Sequence, residues 1–284
     1  MSAPICAGCV SGVIHSGTPK GRVSTIHGLK TYVTEPPDGS PPKGLIVMIS
    51  DAFGWELPNI RVLADVYAEK GGFLVYVPDF MNGYSVKPEV MLLMDKLKQP
   101  ISFSNLFTKV AVSVQVAIRF IPFVLHMSVS AVLPRITTFL RSVRKNEGRA
   151  LGVGLAGFCY GGHFAVLVAH NDKQTSTEDG KPLADVVFTG HPSQVKIPVE
   201  FEEVRLPLSI AVGSKDFWLP FQKVGEVRKI LDEKVEAEHE VVVYTGAKHG
   251  FTVRGDPGNE EEVKQGVEAE DQAVAWFKRF LGQA

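Results

Sequence analysis

Residues Leu151–Phe164 read LGVGLAGFCYGGHF, and the rest of the chain is arranged around them. Leu151 to Ala156 is small and apolar, the texture of a strand buried on both faces of a parallel sheet. Gly157-Phe158-Cys159-Tyr160-Gly161-Gly162 then has the G-x-nucleophile-x-G form of a nucleophile elbow, with cysteine where serine is usual. A turn that sharp strains its central residue, and only flanking glycines let strand and helix pass closely enough to expose the side chain. Gly162 to His170 is apolar at helical spacing, and a helix starting there aims its N-terminal dipole at Cys159 and favours thiolate. Taken alone, the motif is equally a buried cysteine in a tight glycine turn. Chemistry at Cys159 therefore requires a base and an orienting acid from elsewhere in the chain.

The 284 residues can form one α/β sheet with a large core, and neither an internal repeat nor a low-complexity linker divides them, so a single domain over 1–284 is expected. Lys+Arg number 30 against Asp+Glu 31, a formal charge of -1, which provides no net field to recruit nucleic acid or an anionic membrane. Small-molecule partners are expected instead. Three cysteines cannot all pair, and no apolar run follows a basic N-terminus, which together read as a reduced, cytoplasmic protein. Cys6 and Cys9 form a lone CxxC in a flexible leader (residues 1–20), without the second pair or histidines that a zinc site needs. No metal and no cofactor is expected.

Arg22-Ile26 and Lys30-Thr34 alternate as two short antiparallel strands turning at His27-Gly28. Gly44 to Ser50 is a continuous apolar run, a central parallel strand, and it ends in Asp51-Ala52-Phe53-Gly54-Trp55. Ligand crevices of open α/β sheets lie beyond the carboxyl ends of the strands, so this loop faces the elbow. The Ala52 N–H is a candidate oxyanion donor, paired with that of Tyr160, and Asp51 is a candidate site acid or a plain loop acid. Pro58 to Lys70 reads as a helix stopped by Gly71-Gly72, and Phe73 to Val77 as the next buried strand.

About residues 80–147 form an insertion. Leu106 to Leu133 is apolar enough to suggest a membrane span, but Lys109, Arg119, Pro122 and His126 interrupt it. A helical pair that covers the sheet or roofs the crevice as a lid is expected. Asp185-Thr189 and Leu206-Val212 read as strands, Phe221-Lys234 as a helix, Glu240-Tyr244 as a strand, Gly246-Gly258 as a loop and Glu260-Phe280 as a closing helix.

Asp216 follows the Leu206-Val212 strand and His249 follows the Glu240-Tyr244 strand. The chain order is therefore nucleophile, acid, histidine, the order of the α/β-hydrolase fold, with a mostly parallel central sheet flanked by helices on both faces. His249 would take the Cys159 proton and Asp216 would fix the imidazole. Trp55, Phe217, Trp218 and Tyr160 flank this site as pocket or core aromatics. His163 and His191 are read as satisfied structural histidines.

The elbow GFCYGG, the loop DAFG, the strand end Val77-Pro78-Asp79, Lys215-Asp216 and His249-Gly250-Phe251 together resemble the dienelactone hydrolase (carboxymethylenebutenolidase) family, over about Gly21 to Phe280. The nearest likeness is to its eukaryotic, fungal-type members. The resemblance implies a Cys-Asp-His triad at Cys159, Asp216 and His249. It also implies a carboxylate after the first central strand that touches the resting thiol, and the matching position is Asp51, one methylene shorter than the family's glutamate. An arginine that grips the substrate carboxylate has its nearest counterpart in Arg254, displaced by one position.

The expected function is thiol-dependent hydrolysis of a small ester or lactone by a monomer or homodimer. A non-catalytic ligand-binding protein on the same fold, or a redox sensor built on Cys159, are the alternatives.

Overall fold

A computed structural model describes residues 12–14, 17–98 and 106–282 of the protein, so Cys6 and Cys9 lie outside the described residues. Eight strands form one sheet: β1 (Arg22–Ile26), β2 (Leu29–Thr34), β3 (Leu45–Ile49), β4 (Leu74–Pro78), β5 (Val153–Phe158), β6 (Val186–Gly190), β7 (Leu208–Lys215) and β8 (His239–Lys248). Their spatial order is β1-β2-β4-β3-β5-β6-β7-β8. The pairs β1/β2 and β2/β4 are antiparallel and every later pair is parallel, which makes the sheet mostly parallel as expected.

The helices are α1 (Pro58–Gly71), α2 (Glu89–Lys98), α3 (Leu106–His126), α4 (Val129–Lys145), α5 (Tyr160–Ala169), α6 (Val199–Glu202), α7 (Phe221–Asp232), α8 (Phe251–Arg254) and α9 (Glu260–Leu281). Helices α1 and α9 pack together on one face, and α5 covers β3, β5 and β6 on the other, with α4 and α6 beside it. Strands covered on both faces must be apolar throughout, and Leu45–Ile49 and Val153–Phe158 are buried at every position. Phe277 of α9 meets the rings of Tyr67, Phe73 and Phe188, so the closing helix seals the centre of the core. The start of α9 is capped by Asn259, whose side chain accepts from the N–H groups of Glu261 and Glu262.

Two elements depart from their expected limits. Strand β8 runs to Lys248 rather than stopping near Tyr244, because β7 also continues to Lys215 and the two remain paired across a register shift between Gly213 and Lys215. The loop expected from Gly246 consequently starts later, and part of it winds into α8.

The described residues between β4 and β5 are largely helical. Helix α3 packs against α2, and α4 follows it after a break at Met127-Ser128. By length and composition α3 would suffice to cross a bilayer. Its inner residues Val112, Val116, Phe120 and Phe123 are instead buried against the protein.

Candidate active site

The sheet register brings the three triad residues to one edge. Cys159 directly follows β5 and stands at φ 53° and ψ -114°, the strained positive-φ conformation that a nucleophile elbow imposes on its central residue. A Cβ on Gly157 would fall 2.4 Å from the Gly161 carbonyl oxygen, and one on Gly161 would fall 2.2 Å from that of Ile49. Both positions thus require glycine because strand, turn and helix pass in contact there. Lys215 and Lys248 are register partners in β7 and β8, so Asp216 and His249 are the next residue on each strand and emerge side by side.

His249 Nδ1 lies 2.9 Å and 3.1 Å from the two Asp216 carboxylate oxygens, and Nε2 lies 3.1 Å from Cys159 Sγ. Asp216 also accepts from the Trp218 N–H at 2.8 Å, which fixes its carboxylate. This is the geometry of a Cys–His–Asp triad suited to hydrolysis of an ester or lactone. Burial works to lower the His249 pKa, but the Cys159 thiolate and the Asp216 carboxylate outweigh it and raise the value to about 9. Proton transfer from thiol to imidazole is favoured accordingly. Cys159, Asp216 and His249 are 1%, 3% and 4% exposed, so the reacting atoms are covered in this conformation.

Asp51 and Arg254 meet each other. Both are fully buried, with Arg254 Nε 2.7 Å from Asp51 Oδ2 and the guanidinium stacked over Phe53 at 5.1 Å. Burial pushes the Asp51 carboxyl up to about 6 against the opposing pull of Arg254, and the charge on Cys159 adds to the rise. Asp51 also accepts from the Phe53 N–H at 3.0 Å, a local turn that shapes the Ala52 loop. Residue Ile49 pairs with Gly157, which sets Ala52 and Tyr160 at the same sheet edge.

The aromatic candidates divide. Phe217 lies 5.2 Å from the His249 ring and is partly exposed, with Trp218 at 5.8 Å from Phe217. Trp55 is buried beneath the Arg61 guanidinium, 4.7 Å from its ring. Tyr160 donates its hydroxyl to the Met127 carbonyl at 2.6 Å and stacks edge-on to Phe123 at 5.0 Å, so the α3–α4 junction rests on the residue after the nucleophile.

His191 and Ser193 are close to the thiol, and the only sequence signal for them is a loop position after a strand. The His191 ring stands edge-on to His249 at 4.8 Å and bonds Thr252 Oγ1 through Nδ1 at 2.8 Å, while Ser193 Oγ lies 3.9 Å from Cys159 Sγ. Burial, reinforced by His249 and Arg254, drives the His191 pKa well down and keeps it neutral. His163 is paired with Glu200 at 3.0 Å through Nε2. Cys159, His191 and His249 also offer ligand atoms within 4.8 Å of one another. A soft divalent ion held there would occupy the nucleophile itself.

The profile of the dienelactone hydrolase family matches residues 29–281. The chain is 30% identical over 281 residues to the hydrolase tropI of Talaromyces stipitatus, covering 99% of this chain and 98% of that one. It is 27% identical over 280 residues to the hydrolase pyvD of Aspergillus violaceofuscus, with the same coverage. Among solved structures, dienelactone hydrolase from Anabaena variabilis is similar in fold at a TM-score of 0.57 and 15% identity, covering 94% of this chain and 100% of that one. Esterase 2 of Thermogutta terrifontis phosphorylated by paraoxon gives a TM-score of 0.62 at 16% identity, covering 94% and 97%. A family match of that extent, joined by full-length fungal relatives, makes this chain a member of the dienelactone hydrolase family.

Proposed function

We propose that the protein hydrolyses a small ester or lactone through a thioester intermediate on Cys159. The observation that carries this reading is the unbroken hydrogen-bonded line Cys159 Sγ, His249 Nε2, His249 Nδ1, Asp216. The thiolate attacks the acyl carbon, and its electron pair forms the C–S bond while the carbonyl pair moves to oxygen. The backbone N–H groups of Ala52 and Tyr160 receive that oxyanion. The tetrahedral centre collapses, the C–O bond breaks, and His249 gives its proton to the departing alkoxide. In a lactone that alkoxide stays tethered to the acyl group. Water then attacks the thioester with His249 as base, releasing acid and free thiol.

Phe123 and Met127, which contact Tyr160, and Phe217, which lies beside His249, select the substrate's apolar part. The buried Asp51–Arg254 pair tunes the thiol through the charge interaction of Asp51 with Cys159. A reducing, cytoplasmic setting fits a reaction that needs its nucleophilic thiol free.

A panel running from p-nitrophenyl acetate through enol lactones to larger lactones tests this. Cys159→Ala is expected to lose activity by about 10⁴-fold or more. Undiminished turnover by that variant, or silence of the wild type across the panel with a ligand copurifying, would overturn it.

A further inference from the structure

The outer face of α3 is apolar where a surface helix is ordinarily polar. Phe107, Val110, Val114, Ile118, Ile121 and Leu125 recur at spacings of three and four, one stripe along the whole helix, and all are exposed, Phe107 at 82% and Leu125 at 70%. They lie across the helix from the buried Val112, Val116, Phe120 and Phe123. Only 22% of the most apolar 18-residue window of this helix is buried. Single exposed apolar side chains are ordinary on a protein surface, but a continuous stripe of this length marks a surface with a partner.

The charge of the same region says which partner. From Lys96 to Asn146 the chain has eight lysines and arginines and no aspartate or glutamate, although its overall formal charge is -1. Arg119 sits on a flank of α3 and is exposed, whereas Lys109 falls on the inner side, between Val116 and Phe120 around the helix. Lys109 donates to the Leu97 carbonyl at 2.8 Å, tying α3 to α2, where Lys96 is exposed.

We propose that α3 docks the protein onto an anionic lipid surface, lying in the plane of the interface with its outer stripe among the acyl chains and Lys96 and Arg119 on the headgroups. The helix lies on the membrane and does not span it, because its inner face is held against the protein. A second copy meeting the stripe through a two-fold axis would bring two copies of the acid-free α3, with its exposed Arg119, against each other, and like charges oppose that contact. Anionic lipid supplies the apolar medium and the opposite charge together. Docking is independent of the hydrolase reading and stands or falls without it.

Co-sedimentation of the full chain with vesicles of phosphatidylcholine and phosphatidylserine in equal parts, against pure phosphatidylcholine, tests the proposal. Binding to the mixed vesicles is expected, and it should weaken roughly tenfold or more on pure phosphatidylcholine and at high salt. The variants Val114→Glu/Ile118→Glu and Lys96→Glu/Arg119→Glu should each lose binding to a similar degree while keeping the wild-type Tm. Should the first variant fold poorly, Ile118→Trp replaces it, and the emission it adds to that of wild type should shift to the blue on mixed vesicles only. Wild type that stays in the supernatant, charge-reversed variants that bind like wild type, or an added tryptophan emission that lipid leaves unchanged would each overturn it. A wild-type dimer that ignores vesicles and that Val114→Glu/Ile118→Glu dissociates would assign the stripe to a second copy instead.

Discussion

The position of one proton, on Cys159 Sγ or on His249 Nε2, governs the chemistry of the site. With the His249 pKa raised from 6.5 to about 9, the imidazolium persists through neutral pH and loses its proton only as pH passes about 9. Acylation needs that proton for the leaving alkoxide, so kcat/KM is expected to fall on an alkaline limb near pH 9. The sign for stability follows the same shift. A basic group with a raised folded pKa stabilises fully below its unfolded value of about 6.5 and loses that contribution as pH rises through about 9. Asp216→Asn removes one of the charges that raise the value and should move the alkaline limb to lower pH while cutting activity by about 10²–10⁴-fold. A limb that stays in place in pH-rate measurements of this variant would count against the pairing. Asp51 and Arg254 give a second residue-scale prediction. Removing one member of a buried ion pair leaves an uncompensated charge, so Asp51→Ala should cost about 3 kcal/mol or more in denaturant unfolding, and Asp51→Leu/Arg254→Met should recover much of it. The triad was legible in sequence because each member follows a strand. The Asp51–Arg254 pairing was not, because pattern places residues at an edge without saying which side chains satisfy one another there.

Helices α3 and α4 carry the link between the roof and the chemistry. Their junction is pinned by the Tyr160 hydroxyl on the Met127 carbonyl, a buried bond whose loss leaves that carbonyl without its donor. Tyr160→Phe keeps the ring against Phe123 and keeps the backbone N–H beside the nucleophile, so it removes the pin alone. About 1–2 kcal/mol of local stability should be lost. Cys159 is 1% exposed, so reagents reach it only when its cover moves. Iodoacetamide should therefore label Cys159 severalfold faster in Tyr160→Phe than in wild type, whereas His249→Ala should label more slowly through loss of thiolate. Equal labelling rates in wild type and Tyr160→Phe would make the junction a fixed wall rather than a gate. The helical character of this segment was readable from its apolar spacing. The break at Met127-Ser128 was not, because apolar residues continue across it, and neither was the exposure of one of the two apolar faces of α3, since periodicity identifies a face without naming its neighbour.

At the scale of the whole molecule, alternating strand and helix signals were enough to give a mostly parallel sheet with the site at the strand ends, and the parallel strands from β3 to β8 lie where that logic puts them. The antiparallel β1 and β2 were visible from the turn at His27-Gly28, which joins them in the register Ile26 to Leu29. Strand β8 overran its expected end because pairing with β7 across the bulge at Gly213 and Lys215 depends on the partner strand, which a local pattern cannot see. Net charge likewise says nothing of where charges sit. A total of -1 hides a stretch of 51 residues, Lys96 to Asn146, whose charged side chains are all basic, so the compensating acids lie in the remainder of the chain. Some of that basic charge is answered locally, as where Arg144 pairs with Asp185 at 2.7 Å. Lys96 and Arg119 stand exposed beside and on α3, and a lopsided molecule presents that side to a charged surface whatever its total. The protein should therefore be retained by a cation-exchange resin at a pH about one unit above its sequence pI of about 6.7, and should elute with moderate salt. Lys96→Glu/Arg119→Glu should abolish retention, whereas the double reversal Lys264→Glu/Lys278→Glu on α9 changes the total charge by the same amount and should leave most of it. Equal loss in the two variants would mean that total charge, rather than its placement around α3, controls what this molecule adheres to.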